Sequence, residues 1–396
     1  MKILGITDQP IDPPASGGGE RVRALYERLA KRHSVEILNL VGVREVKGVR
    51  TVANGLRLRK VAAYQRTIAF HLEKRRFAPA FMAHYLHAAL APLYASLLRR
   101  GGWDVIAADG IALGPILRSA PRDTPLVYSS HNVDSEYFAA EIDRFPLRGA
   151  ITRSLRAIER RMLARVDRVI AVSDRDRALF LSLYDAPPSK FVVAPNGFDE
   201  DRFRPIGPEA KRSLRRSMGL APDERIILFA GSRVNHNEAA VRLLLERVVP
   251  RLTEGTRLLI AGSVGDAFPF ASGKRVIVTG SVPDVLPYFH AADVAANPVE
   301  TGGGTNIKLL QYLATGLPVV STAFGVRGLD ALARFVQVAE PDGLAAALAA
   351  PPRAPRASDI APALADWSWG ASAKKVEACY EELVASKRAA RARPAR

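Results

Sequence analysis

The sequence predicts an α/β protein made of two doubly wound, Rossmann-like domains. Three observations predict it. Short β-branched apolar runs alternate with longer amphipathic ones, the pattern of βαβ units. A polar, basic stretch from Gly207 to Arg225 interrupts that pattern, which then starts again. Each half also carries a glycine triplet between a strand and a helix, Gly17–Gly19 and Gly302–Gly304. With 396 residues, 48% hydrophobic and 24% charged, the chain has enough apolar material for two cores.

In the first half, Lys2 to Ile6 reads as a buried strand, followed by a Pro/Gly loop and a helix over about Glu20 to Arg32. Val35–Leu40, Val105–Ala108, Leu126–Tyr128, Arg168–Ala171 and Phe191–Ala194 are the further strands, and 60–100 is helical by periodicity. Ile226–Ala230, a helix over 237–253, Arg257–Ala261, Val276–Thr279, a short helix at 284–290, Asp293–Ala296 and Val319–Ser321 repeat the pattern. The Ala/Pro-rich stretches 340–352 and 354–364 read as a surface connection, with a last helix near 371–385 and a disordered basic tail, 386–396. The expected domains are 1–206 and 207–370, with 371–385 as a closing helix.

Composition limits the functions. The single cysteine, Cys379, excludes an internal disulfide and a cysteine-rich metal site. No apolar run approaches the roughly 20 residues of a membrane span, and MKILGITDQP is a strand instead of a signal sequence, so a cytoplasmic location is expected. Lys+Arg number 57 against 40 Asp+Glu, a net charge of +17 concentrated in the first half. Runs such as Arg57–Lys60, Lys74–Arg76 and Arg153–Arg168 suit a solvated face, an anionic membrane surface or an acidic acceptor. No recognition motif or stacking-aromatic pattern accompanies them, so nucleic acid is not the expected partner.

The richest segment is NPVETGGGTNIKLLQYLATGLPVVS, Asn297 to Ser321. A strand runs into Gly302, Gly303 and Gly304, which open an amphipathic helix that Gly316 ends. Glycine amides and a helix N-terminus suit a phosphate or diphosphate. Lys308 and Gln311, one helical turn apart, place a cation and a neutral amide on one face. The first triplet, Ser16-Gly17-Gly18-Gly19, lacks the spaced G-x-G-x-x-G of a dinucleotide site, which disfavours a Rossmann dehydrogenase. Domains of this kind, with the carboxyl ends of their sheets facing, place a ligand cleft between them.

Assembled in order, these segments resemble glycosyltransferase family 4, of the GT-B fold. Ser16–Arg23 resembles its N-terminal glycine loop, His131–Tyr137 its mid-domain histidine segment and Val172–Asp174 the strand end that closes the first domain. Ala194–Asp199 with Phe203 and Pro205 is similar to its linker, Phe229–Ser232 to its first donor-domain strand and turn, and Thr279–Asp284 to a following turn. Trp369 precedes a helix that in this fold crosses back to the first domain.

The resemblance implies retaining transfer of a hexose from a nucleotide-diphosphate sugar, UDP- or GDP-linked, to a glycan or lipid-linked acceptor, without a metal or other cofactor. It implies catalytic roles for His131, Lys308, Arg233 and Glu300. It implies donor contacts at Gly18, Gly19, Gly231, Ser232, Gly280, Ser281, Val282, Gly302, Gly303, Gly304, Thr305, Asn306 and Gln311. Glu20 is a candidate to support acceptor or phosphates, or else a first-turn acid stabilising its helix. Asn237 occupies the region of the family's donor-site Lys, for which Lys308 is expected to compensate. The family's pair of glutamates, eight positions apart, falls on Gly303 and Gln311, with Glu300 three residues out of register. This departure keeps a sugar-nucleotide or glycan-binding module, and a nucleotide-sugar epimerase of the same fold, open beside the transferase. Aromatic residues of the 60–100 region, Tyr64, Phe70, Phe77, Phe81 and Tyr85, suit core packing or a lipid-linked acceptor.

Overall fold

The computed structural model describes the chain except for residues 15, 43–44, 46, 76–78, 80–86, 88–91, 93, 100, 139–141, 143–144, 146 and 393–396. The fold divides into two compact units, Met1–Pro195 with Trp369–Arg396, and Asn196–Ser368. The division therefore falls at Pro195 and again at Ser368, not at 206 and 370.

The first unit is built on β1 Lys2–Thr7, β2 Ser34–Val41, β3 Gly48–Thr51, β4 Arg57–Ala62, β5 Val105–Asp109, β6 Leu126–Ser129, β7 Arg168–Ala171 and β8 Phe191–Val193. Their order across the sheet is β3-β4-β2-β1-β5-β6-β7-β8, all parallel except the β3–β4 pair. Strands that lie in a parallel sheet covered on both faces need side chains that bury on both. Ile3, Leu4, Ile6, Ile37, Leu38, Ile106, Val127 and Val169 satisfy this, all fully buried. The strand order reverses at β1, which lies between β2 and β5.

Two differences from the sequence reading concern charge. The cationic run Arg57–Lys60 forms strand β4, with Leu58 buried and its cations tied to acids of the same sheet region. Arg59 Nε donates to Glu36 Oε1 at 2.5 Å, and Lys60 Nζ lies 3.3 Å from Asp12 Oδ2. A run tied to its own acids is a weaker lure for an external anion. The basic tail is not disordered as far as it is described. It continues the last helix, Trp369–Ala392, and Lys387, Arg388 and Arg391 pair with Asp167, Asp104 and Asp123 at 3.1, 3.0 and 3.3 Å. Cys379 is buried in that helix, its thiol pushed up to about 11 by burial.

The second unit is built on β9 Arg225–Ala230, β10 Thr256–Ala261, β11 Val276–Gly280, β12 Val294–Asn297, β13 Val319–Ser321 and β14 Val336–Val338. Its order is β11-β10-β9-β12-β13-β14, wholly parallel. Ile226, Leu228, Leu259, Phe289 and Tyr312 fill the core on one face; Ile227, Phe229, Val241, Ile260 and Val294 fill the other. The Ala/Pro-rich connection is more structured than expected. It forms helices Leu344–Ala349 and Ala357–Leu364, which bury Leu344, Leu348, Ile360 and Leu364.

Strand order reverses between β9 and β12, so the crevice at a switch point of this sheet is bounded by the loops that follow those two strands. These loops are Gly231–Val234 and Pro298–Asn306.

Candidate functional site

At the switch point of the second unit, the glycine loop enters helix Ile307–Ala314 with Gly302 at φ +127° and Gly304 at φ +56°. Both angles are ones that L side chains resist, which is what the sequence supplies glycine for. The loop is held by two side chains from outside it, Arg327 and Asn196, and by one of its own, Asn306. Arg327 Nη2 donates to the Gly303 carbonyl at 2.7 Å, Asn196 Nδ2 to the Thr305 carbonyl at 3.3 Å and hydroxyl at 3.0 Å, and Asn306 Nδ2 to Asn297 Oδ1 at 2.8 Å. Among the described residues, none of the backbone amides from 303 to 308 has a hydrogen-bond acceptor. Asn306, at the N-cap position, does not cap the helix with its side chain. The loop therefore presents a run of donors with a positive helix end behind them, which is the chemistry of an oxyanion cradle.

Lys308 reaches across from that helix to the helix after β9. Its Nζ donates to Asn237 Oδ1 at 2.6 Å and lies 4.3 Å from the centre of the Phe229 ring. Burial pushes the ammonium down to about 7, because its hydrogen-bond partner is neutral. Asn237 is itself fixed by donating to the Ser232 carbonyl at 2.9 Å. The cation of one helix and the amide of the other thus occupy one place, as the sequence placed them in separate segments.

His236 is the neighbour that the sequence reading did not single out. A Cβ on Gly302 would lie 3.4 Å from His236 Nδ1 and 3.5 Å from Arg327 Nη2, so ring and guanidinium flank the loop. Burial, then the charges of Lys308 and Arg327, hold His236 down at about 4 and neutral at pH 7. No spacing rule in the sequence joins Arg327 to the glycines; the adjacency of β12 and β13 does.

Arg233, Glu300, Gln311, Gly231 and Gly280–Val282 are the other residues expected in this unit. Arg233 is exposed, its Nε 3.5 Å from Glu238 Oε1, while its amide donates to Ser263 Oγ at 2.9 Å. Glu300 is exposed on the loop, and Gln311 is buried. Gly231 packs tightly: a Cβ there would meet Asn237 Nδ2 at 2.9 Å. Gly280 has φ +63°, and Ser281 gives its amide and hydroxyl to Asp266 at 2.9 and 2.7 Å, with Val282 half-buried beside it.

In the first unit, Ser16 Oγ accepts from the Gly19 amide at 3.1 Å and donates to Gln9 Oε1 at 3.2 Å. Gly18 and Gly19 lie inside helix Gly17–Leu29, a Cβ on Gly19 being only 2.1 Å from the Pro10 carbonyl. Glu20 follows in the first turn, half-buried, its amide bonded to the Ser16 carbonyl at 2.9 Å. His131 follows β6; its Nε2 is buried with no hydrogen-bond partner among the described residues, and burial, then Arg21, push the ring down to about 3. Arg21 is fully buried and donates to the carbonyls of Ala194 and Pro195 at 2.8 and 3.0 Å. Tyr64 is exposed; the side chains of Phe70, Phe77, Phe81 and Tyr85, and Arg76, lie outside the described residues.

Comparison with known proteins agrees with this architecture. A family model described as Glycosyltransferase Family 4 matches residues 15–202, and one described as Glycosyl transferases group 1 matches residues 224–350. The chain belongs to glycosyltransferase family 4. As a glycosyltransferase it is 28% identical, over 84% of its length and 78% of the relative's, to the D-inositol 3-phosphate glycosyltransferase of Actinosynnema mirum. Its fold is GT-B. Among solved structures it is similar to the sucrose-phosphate synthase of Thermosynechococcus elongatus, at a TM-score of 0.67 and 18% identity over 98% of this chain and 97% of that one. It is also similar to Anabaena Alr3699/HepE in complex with UDP and glucose, at a TM-score of 0.59 and 16% identity over 98% and 100% of the two chains.

Proposed function

We propose that this glycosyltransferase moves a hexose, with retention of configuration, from a UDP- or GDP-sugar to a glycan or lipid-linked acceptor, using no metal. The observation that carries the donor side is the run of amides from 303 to 308 beside Lys308, at the switch point of the second sheet. Transfer breaks the bond between the anomeric carbon and the diphosphate oxygen, and charge grows on the diphosphate as it leaves. Preorganised amides, a helix N-terminus and an ammonium stabilise that charge more than they stabilise the bound donor, which is the requirement for lowering the barrier. The acceptor hydroxyl forms the new bond, and its proton passes to the leaving phosphate oxygen. The neutral His131 ring has an orphaned Nε2 suited to a sugar hydroxyl.

The acceptor side rests on the first unit. Relatives are named for an inositol phosphate, and a neighbouring trehalose-phosphate synthase was solved with glucose-6-phosphate, so an anionic acceptor suits a chain of charge +17. Helix Tyr64–Lys74 exposes Tyr64, Ile68 and Leu72 at helical spacing, and helix Arg148–Arg165 exposes Arg153, Arg156, Arg160 and Arg161. Exposed apolar and cationic faces of this kind support peripheral contact of a cytoplasmic protein with an anionic membrane. No described helix is long and apolar enough to cross one.

The test is calorimetry with UDP, GDP, ADP and dTDP, with and without magnesium, on the wild type and Lys308→Ala. One diphosphate is expected to bind without magnesium and to weaken about ten-fold or more in the variant, the scale of a charge-assisted hydrogen bond. Equal binding by the variant would move the diphosphate elsewhere.

A further inference from the structure

The peptide planes of the glycine loop are set from outside the loop. In a trans peptide the carbonyl and the next residue's N–H point in opposite directions. A side chain that holds a carbonyl therefore aims an amide. Arg327 holds the Gly303 carbonyl at 2.7 Å, so the Gly304 N–H points away from Arg327. Asn196 does the same to the Thr305 carbonyl and the Asn306 N–H.

Arg327 is built to keep its place. Its Nη1 donates to the Phe324 carbonyl at 2.9 Å, and the guanidinium carbon lies 3.9 Å from the centre of the Phe324 ring. One planar group thus links the turn after β13 to the loop after β12. A guanidinium makes both bonds through separate nitrogens of one rigid plane, whereas a lysine offers one nitrogen on a flexible stem. Gly303 and Gly304 have no side chains of their own to fix the plane, and because glycine takes positive and negative φ about equally readily, Gly304's own preference does not hold it at φ +56°.

We infer that Arg327 is a positioning residue of the donor site, which sets the Gly303–Gly304 peptide so that the Gly304 amide meets a diphosphate oxygen. The inference rests on the diphosphate reading of the loop. Arg327 acts through the backbone and needs no contact with the sugar nucleotide.

Arg327→Gln and Arg327→Lys test it, read by UDP and GDP calorimetry, by melting temperature and by glycine-selective ¹⁵N spectra. Arg327→Gln is expected to bind the preferred diphosphate about ten-fold more weakly, the loss of a charged hydrogen bond. Arg327→Lys, which keeps the charge and one bond, falls between it and the wild type. The Gly304 amide resonance moves in Arg327→Gln before any nucleotide is added, and a melting temperature within a few degrees of wild type shows that the unit is intact. Wild-type affinity in Arg327→Gln, or an unmoved Gly304 resonance, overturns the inference while leaving the diphosphate reading in place. A wild-type protein that binds none of the nucleotides overturns that reading first, and the inference with it. Should Arg327→Gln fail to fold, the Gly304 resonance and affinity of Arg327→Lys carry the same two outcomes.

Discussion

The two glycine triplets look interchangeable in sequence and do different things in the fold. Gly17–Gly19 are the first turn of a helix in ordinary helical conformation, capped by Ser16, and Gly19 is there because the Pro10 carbonyl leaves no room for a Cβ. Gly302–Gly304 precede their helix, two of them at positive φ, uncapped, with the Gly304 amide turned away from Arg327, which holds the Gly303 carbonyl. The first triplet is glycine for close packing. The second is glycine for backbone direction. The difference teaches that a glycine run can serve close packing or backbone direction, two ends that composition alone does not separate.

Substitutions separate the two cases. Gly19→Ala forces a methyl into the Pro10 carbonyl and is expected to cost the first unit about 3 kcal/mol, the upper range of overpacking, read by denaturant unfolding. Diphosphate affinity should be retained in the folded protein; a loss would tie the first triplet to the donor and break the contrast. Gly304→Ala should show the opposite signature. Its φ of +56° costs an L residue about 1–2 kcal/mol, expected as weaker nucleotide binding in calorimetry.

Proton linkage gives the next effect. Lys308 sits at about 7 in the fold and at its ordinary 10.5 when exposed, so between these values the unfolded chain binds the extra proton. Its contribution to stability therefore rises with pH across that window. Ligand affinity runs the other way: a diphosphate prefers the ammonium, so binding should weaken by up to ten-fold per pH unit above about 7. Calorimetry from pH 6 to 9 checks it, and Lys308→Ala should flatten the profile. The smallest effect belongs to Gln311→Glu, which places a carboxylate on the buried face of the same helix and should tighten nucleotide binding by about 1 kcal/mol if ribose hydroxyls lie there. Unchanged affinity would put the ribose beyond reach of Gln311.

How much was legible follows from what kind of signal each feature leaves. Buried parallel strands announce themselves as β-branched runs, so β1, β2 and β5 to β13 were readable. Strand β4 was not, because its exposed side carries arginines and a lysine whose acid partners come from elsewhere in the chain. The helices at Leu344–Ala349 and Ala357–Leu364 hid in an Ala/Pro composition that reads as a connector, yet their few leucines and Ile360 face the core. Within the site, the loop, Lys308 and Asn237 were visible as local patterns. Arg327, Asn196 and His236 owe their places to strand order and helix entry, and neither is written in local spacing.

The path of the chain has a consequence for its synthesis. Asn196–Ser368 begins and ends at one point, where the Phe198 amide donates to the Trp367 carbonyl at 3.1 Å. The first unit still lacks its last helix at that stage, with Trp369, Tyr380 and Leu383 of its core not yet made. Buried Arg21 then holds Pro195 beside Ser372, whose hydroxyl donates to the same carbonyl at 2.7 Å. Units that fold as they leave a ribosome normally do so in sequence order. Here the order can invert: the second unit has all its residues while the first still lacks its last helix, and a chain released at residue 368 would carry a whole second unit on an incomplete first one.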